Sequence, residues 1–345
     1  MNKEPLKTKY RLHLKILSCI LILSLFLITG IFSSLHHDKS KDSFITSNSN
    51  DVLVETNLQL LVTTDFTDIT KVQAYNDNSF ALSPEDINYY SSLPYEERVD
   101  ILFNDEYLLE DRIQIFLSDD IENIGLIYYD LTTSEDISIN ESKEFIAAST
   151  YKVGLNLLFY YLANIGQVDL NEYIDFTWED YEEGTGILQT YSYLDSFTIQ
   201  ELLDLSLIYS DNIATNMLGR YLGDHTKVRE LLYEVLNINF PTNENIITAN
   251  IENEILKYIY LNRDNHNFSH MIDILTQTEF HDRLDLYIPQ EIVAHKIGTY
   301  DTNIHDVGII LTDSPYILSI YTNNIENAEE KIALISKAIY LSKYN

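Results

Sequence analysis

The chain has 345 residues, 45% of them hydrophobic, enough to bury a sizeable core, which excludes a disordered chain. Its 22 Lys+Arg against 54 Asp+Glu give a net charge of −32, which disfavours nucleic acid and anionic lipid as partners. Cys19 is the only cysteine, so no internal disulfide can form.

Residues 1–15 are a basic segment, with Lys3, Lys7, Lys9, Arg11 and Lys15 against Glu4, and residues 16–35, "ILSCILILSLFLITGIFSSL", carry no charge. About twenty apolar residues cross a bilayer, and positive charge ahead of them holds the N-terminus in the cytoplasm. The expectation is a single-pass transmembrane signal-anchor in the cell membrane with an extracytoplasmic domain behind it. A cleaved signal peptide is the competing reading, but this run is long and no A-x-A site follows it. Residues 36–50, "HHDKSKDSFITSNSN", are a polar tether. Beyond residue 42 there remain 15 Lys+Arg and 51 Asp+Glu, a net charge of −36 that solvates the exterior.

Residues 51–104 form an N-terminal extension to which the sequence assigns no role. Within it "VLVETNLQLLVTT" has strand character, and "SPEDINYY" and "LPYEERVDIL" start short helices behind Ser or Pro. From residue 105 the patterns sharpen. "YLLEDRIQIFLSDD" spaces its apolar residues as an amphipathic helix, and "NIGLIYYDL" and "DISIN" are two strands. A long helical run follows Ser149, then an open polar segment around "TWEDYEEGTGILQT", then helices over "TIQELLDLSLIY", "IATNMLGRYLG" and "TKVRELLYEVL". Near the C-terminus "QEIVAHKIG", "DVGIILT" and "YILSIYTNN" are strands, and "AEEKIALISKAIYLSK" is a closing helix. Strands at both ends with helices between predict one α+β domain over 105–345. Its antiparallel sheet is made from both ends, flanked by helices, with an inserted all-helical subdomain.

A serine hydroxyl is a weak nucleophile at neutral pH and needs a neighbouring base. In "AASTYKVG" Lys152 follows Ser149 by three residues, which on a helix puts both side chains on one face. A lysine serves as a base when burial lowers its pKa, and the apolar "GLNLLFYYLA" behind it can supply that burial. Taken alone, Ser-x-x-Lys is also an ordinary capped helix start. Two further stretches change its weight: Ser210-Asp211-Asn212 between two helices, and Lys296-Ile297-Gly298-Thr299 at the end of a strand.

Three such motifs in this order resemble the penicillin-recognising serine hydrolases, class A β-lactamases in particular, over roughly residues 105 to 345. The resemblance implies that Ser149 is acylated, that Lys152 accepts or relays its proton, and that Ser210 passes a proton toward the leaving nitrogen. Asn212 would hold the substrate amide and position Lys152, and Lys296 would supply positive potential for a substrate carboxylate. Gly298 would let the strand approach the substrate, with the Ser149 and Thr299 N–H groups as the oxyanion hole. The implied substrate is a small β-lactam or a cell-wall peptide, with no metal and no cofactor; the oligomeric state is left open.

Two departures stand out. Ile297 replaces the hydroxyl residue of the family's Lys-Thr/Ser-Gly, and no Glu-x-x-Leu-Asn loop supplies the glutamate that activates the deacylating water. "EVLN", Glu234 to Asn237, is one residue short and falls in a predicted helix; Glu244 is the acid best placed by sequence. His295 and His305 have no necessary role in a lysine-based site. "EEGTGILQT" resembles a segment near the cleft of related surface hydrolases. The alternatives are a penicillin-binding D-alanyl-D-alanine carboxypeptidase or transpeptidase, and a catalytically degenerate surface-binding or sensor module.

Overall fold

The computed structural model describes residues 79–343. The expected membrane anchor, the tether and the strand around "VLVETNLQLLVTT" lie outside them, and among the described residues no helix is long and apolar enough to cross a membrane.

Ten helices and nine strands are described. The helices are α1 (Pro84–Ser91), α2 (Tyr95–Leu102), α3 (Leu109–Leu117), α4 (Tyr151–Asn164), α5 (Ile199–Ile208), α6 (Asn212–Tyr221), α7 (His225–Val235), α8 (Ala249–Leu261), α9 (His266–Leu275) and α10 (Ala328–Ser342). The strands are β1 (Ile124–Asp130), β2 (Asp136–Ile139), β3 (Phe145–Ile146), β4 (Tyr173–Asp175), β5 (Ser196–Thr198), β6 (Ile246–Ile247), β7 (Val293–Tyr300), β8 (Asn303–Ile310) and β9 (Tyr316–Asn323).

The main sheet runs β2-β1-β9-β8-β7 and is antiparallel throughout. Its two ends meet where β1 pairs β9, from Ile124 opposite Thr322 to Asp130 opposite Tyr316, as expected from strands at both ends of the domain. Both faces are buried, so side chains alternate between two cores. Leu126 and Tyr128 join α3 and α10 on one side, while Ile127 faces the helices of the insertion on the other. Val307 and Ile309 of β8 and Ile317 and Tyr321 of β9 continue that second face.

α4 is the central helix of the insertion. Apolar residues occupy its whole circumference, the pattern of a helix enclosed by others. Two polar side chains share that interior, Lys152 and Asn156, and Asn156 places both Nδ2 hydrogens, on Lys152 O at 2.9 Å and on Ser206 Oγ at 2.8 Å.

One expectation is corrected. The insertion is not all-helical: the pairs β3–β6 and β4–β5 punctuate it, each only two or three residues long, too short for a period-two pattern to show in the sequence. The described part of the N-terminal extension packs on the domain. α1 and α2 lie against α3, Leu102 is fully buried, and the Phe80 backbone pairs with Tyr107, so residues from 80 onward belong to the same compact unit as the sheet.

Candidate active site

Ser149 occupies a single 3₁₀ turn, Ala148–Thr150, that runs directly into α4. The turn is entered through Ala148 at φ 50°, a left-handed conformation that costs a non-glycine residue about 1–3 kcal/mol and recurs at functional sites. No cap is formed by Ser149. Its hydroxyl instead accepts from Lys152 Nζ at 3.1 Å, so the ordinary reading of the motif as a capped helix start does not hold.

Lys152 Nζ reaches three further acceptors: Ser210 O at 2.7 Å, Asn212 Oδ1 at 2.8 Å and Ser210 Oγ at 3.1 Å. A neutral amine has two donors and one lone pair, so with the amide and carbonyl oxygens taking the donors, the lone pair is left for one of the two serine hydroxyls. Burial pulls the Lys152 pKa down to about 7, against the opposing pull of Asp211 and Glu182. A substantial neutral fraction therefore exists at neutral pH.

The Ser-Asp-Asn tripeptide joins α5 to α6. Ser210 sits at φ 52°, and Asp211 caps α6 by accepting from Ala214 N at 3.0 Å and also holds Leu188 N at 2.8 Å. Asn212 is the first residue of α6. The glycine-rich stretch before the tripeptide clasps it, with Thr185 Oγ1 donating to Ser210 O at 2.7 Å and Asn212 N donating to Thr185 O at 3.2 Å. The tripeptide is thus both a helix cap and a piece of the lysine's coordination.

β7 closes the other side. A Cβ on Gly298 would lie 3.0 Å from Ala147 O and 3.0 Å from Thr150 Cγ2, so a side chain here would press the strand and the serine turn apart by a few tenths of an ångström. Thr299 lines the cleft, its Oγ1 accepting from the buried Arg283 at 2.8 Å. Lys296 is placed differently from the expectation of an ammonium facing substrate. It is fully buried, donates to Ile297 O at 3.0 Å, and lies 5.6 Å from the Phe280 ring centroid. Burial, and the nearby Lys152, push its pKa well below the usual lysine range.

Beside Ser149 opens a cleft of about 520 Å³, lined among others by Lys152, Glu182, Asn212, Glu244 and Thr299. Glu182 escaped the sequence reading. Its Oε1 accepts from Asn212 Nδ2 at 3.2 Å and its Oε2 from Asn216 Nδ2 at 2.9 Å, and Asn216 Oδ1 meets His225 Nε2 at 3.0 Å. From the residues alone the two glycines after it mark only a turn; the resemblance of "EEGTGILQT" to a segment near the cleft placed the stretch there without singling out Glu182.

Residues 108–342 match the family model described as beta-lactamase enzyme family. The chain belongs to the beta-lactamase enzyme family. The fold agrees with solved structures. A β-lactamase from Sphaerobacter thermophilus DSM 20745 is 22% identical, with TM-score 0.58 over 64% of this chain and 90% of that one. A mutant of PBP-A in an acyl-enzyme complex with penicillin G is 20% identical, with TM-score 0.61 over 68% of this chain and 96% of that one. The TLA-1 extended-spectrum β-lactamase is 20% identical, with TM-score 0.61 over 68% and 98%.

Within this β-lactamase fold the stretch from the end of α7 to β6 is short, and it carries Glu244 to the cleft. Asn245 beside it is anchored twice, accepting from Ala147 N through its carbonyl at 2.8 Å and donating from Nδ2 to Ala148 O at 3.2 Å. Glu234 is exposed on α7 and is not among the residues lining the cleft. Ile297 is buried, so its side chain adds nothing to the cleft wall.

Proposed function

We propose that the chain is a membrane-anchored, extracytoplasmic serine hydrolase that acts on β-lactams or related cell-wall amides through an acyl-enzyme on Ser149. The observation that carries this is the Lys152 nitrogen, buried, with a pKa near 7, and 3.1 Å from both the Ser149 and the Ser210 hydroxyls. The membrane part rests on the uncharged run at residues 16–35 behind a basic segment.

In the proposed reaction neutral Lys152 takes the Ser149 proton as the hydroxyl oxygen attacks the amide carbon, and the α4 N-terminus lies under the developing negative charge. The Ser149 and Thr299 N–H groups receive the oxyanion. Ser210, sharing the same lysine, delivers the proton to the departing nitrogen, and Asn212 holds the amide of the bound substrate. No step needs a carboxylate until water must attack the ester.

Intact-mass analysis after incubation with penicillin G tests the reading. A single adduct on the parent and none on Ser149→Ala supports it; no adduct on the folded parent with penicillin or a fluorophosphonate overturns it in favour of a binding module. The shortened loop gives specific support to a second reading, a D-alanyl-D-alanine carboxypeptidase or transpeptidase. Release of D-alanine from a cell-wall peptide exceeding turnover of a chromogenic cephalosporin would select that alternative.

A further inference from the structure

On the face of β7 away from Lys296, His295 is 1% exposed and paired across the strand with Gly308. A Cβ on Gly308 would lie 2.6 Å from His295 Cβ, so the ring occupies space that glycine leaves. Asp306 holds its Nδ1 at 2.9 Å, which directs Nε2 the other way, toward the loop between α9 and β7. That loop presents Asp285, also 1% exposed, with Oδ2 at 3.4 Å from His295 Nε2. His281, four residues earlier, contacts the same Asp285 oxygen through Nδ1.

Two buried polar atoms here have no hydrogen-bond partner among the described residues: His295 Nε2 and Asp285 Oδ1. Ligand atoms of His281, Asp285 and His295 all lie within 4.8 Å of one another. At metal–ligand distances of about 2.0–2.2 Å a tetrahedral zinc ion separates its ligands by roughly 3.3–3.5 Å. The spacing of His295 Nε2 from Asp285 Oδ2 falls in that range, whereas His281 Nδ1, in direct contact with the same oxygen, must turn outward to admit an ion. A carboxylate bonded to the far nitrogen of a histidine is also the usual outer partner of a metal-bound imidazole, fixing its tautomer and raising its basicity. Asp306 stands in that place, itself held by Leu284 N at 3.0 Å.

We propose that His281, Asp285 and His295 bind one divalent transition-metal ion of the zinc class, with Asp306 orienting His295. Two imidazoles and one carboxylate suit zinc better than calcium or magnesium, which prefer all-oxygen shells. The half-exposed His281 gives the ion its way in and leaves a position for water. This site is separate from the serine cleft, and it does not rest on acyl transfer. Its role is to fasten the loop to β7. The same loop carries Arg283, whose guanidinium holds Gly298 O at 3.2 Å, His305 O at 2.8 Å and Thr299 Oγ1, so the ion would brace the strand that borders the cleft.

The full-length chain, stripped with a chelator, is titrated with zinc against a chromophoric competitor. Because His36 and His37 could also take zinc, His36→Ala/His37→Ala serves as the background. The expected result is one zinc per chain at sub-micromolar Kd, a rise in Tm on adding zinc, and a visible cobalt(II) spectrum of a four- or five-coordinate nitrogen–oxygen site. His281→Ala, at a partly exposed position that leaves the fold intact, should weaken zinc at least tenfold and remove the Tm rise, and Asp285→Asn should do the same. Absence of zinc uptake at micromolar concentration, or uptake and Tm rise undiminished in His281→Ala, overturns the proposal and leaves a proton shared between His295 and its two carboxylates.

Discussion

Asn212 links the lysine to an acid: its Oδ1 accepts from Lys152 Nζ at 2.8 Å while its Nδ2 donates to Glu182 at 3.2 Å. The amide keeps a formal negative charge one residue away from the lysine. Without that spacer the Lys152 pKa would rise, because a carboxylate within about 4–6 Å favours the charged form.

Acylation should therefore follow the neutral form of Lys152. Its rate should increase about tenfold per pH unit below 7 and level off above, since the folded pKa is lowered to about 7. Stopped-flow acylation by a fluorescent penicillin measures the profile. Asn212→Asp should move its midpoint alkaline by about one unit or more, and Lys152→Ala should lower the plateau by about 10²–10⁴ with the circular dichroism unchanged. A profile that is flat between pH 5 and 8 would remove Lys152 from the proton path.

Glu244 and Glu182 are both cleft carboxylates, but their surroundings differ. Glu182 is engaged by two side-chain amides, whereas the exposed Glu244 makes no hydrogen bond to another described residue and projects from a loop anchored at the serine turn. If water is activated by a carboxylate, Glu244→Gln should lengthen the life of the penicillin adduct about tenfold or more without slowing its formation. Adduct decay followed by intact mass decides this; equal lifetimes in parent and variant would assign release to another group.

Gly298→Ala forces a methyl against Ala147 O and Thr150 Cγ2, each at 3.0 Å. Since one of these contacts is backbone, either the strand or the serine turn must shift. The expected cost is about 1–3 kcal/mol in urea unfolding, together with an acylation rate reduced more than the stability loss explains. Unchanged acylation in the destabilised variant would mean that β7 does not set the geometry of the serine.

Glu252 lies fully buried beneath the site, bonded by Tyr321 at 3.0 Å, and burial raises its pKa from 4.5 to about 8. The folded state then binds more protons than the unfolded state between these values. Its contribution is complete below 4.5 and is lost as pH rises toward 8. Glu252→Gln should flatten that decline, on the order of a few kcal/mol across the window. Urea denaturation at pH 5 and pH 8.5 gives the comparison.

The sheet, the helix order and the serine–lysine pairing were legible because each rests on local periodicity or on a three-residue spacing. The Lys152 environment was legible for the same reason: apolar residues around all of α4 imply burial. What escaped depends on contacts between distant segments. Glu182 reaches the cleft because Gly184 and Thr185 fold back on Asn212, and the inward turn of Lys296 is set by Phe280 and the packing behind β7. His295 looked idle beside Lys296 because its partners, Asp285 and Asp306, sit on a loop and on the neighbouring strand. The short pairs β3–β6 and β4–β5 have no period to detect.

The pairing of β1 with β9 also sets an order of events during synthesis. Ser149 and Lys152, at the turn that leads into α4, leave the ribosome well before β7, which carries Thr299 and closes the cleft. Long-range strand pairing of this kind forms late, after the loop entropy of the intervening helices has been overcome. Under the proposed acyl-transfer reading, a chain that is still emerging holds a serine with no strand to receive the oxyanion, and reactivity would arrive only with the C-terminal strands.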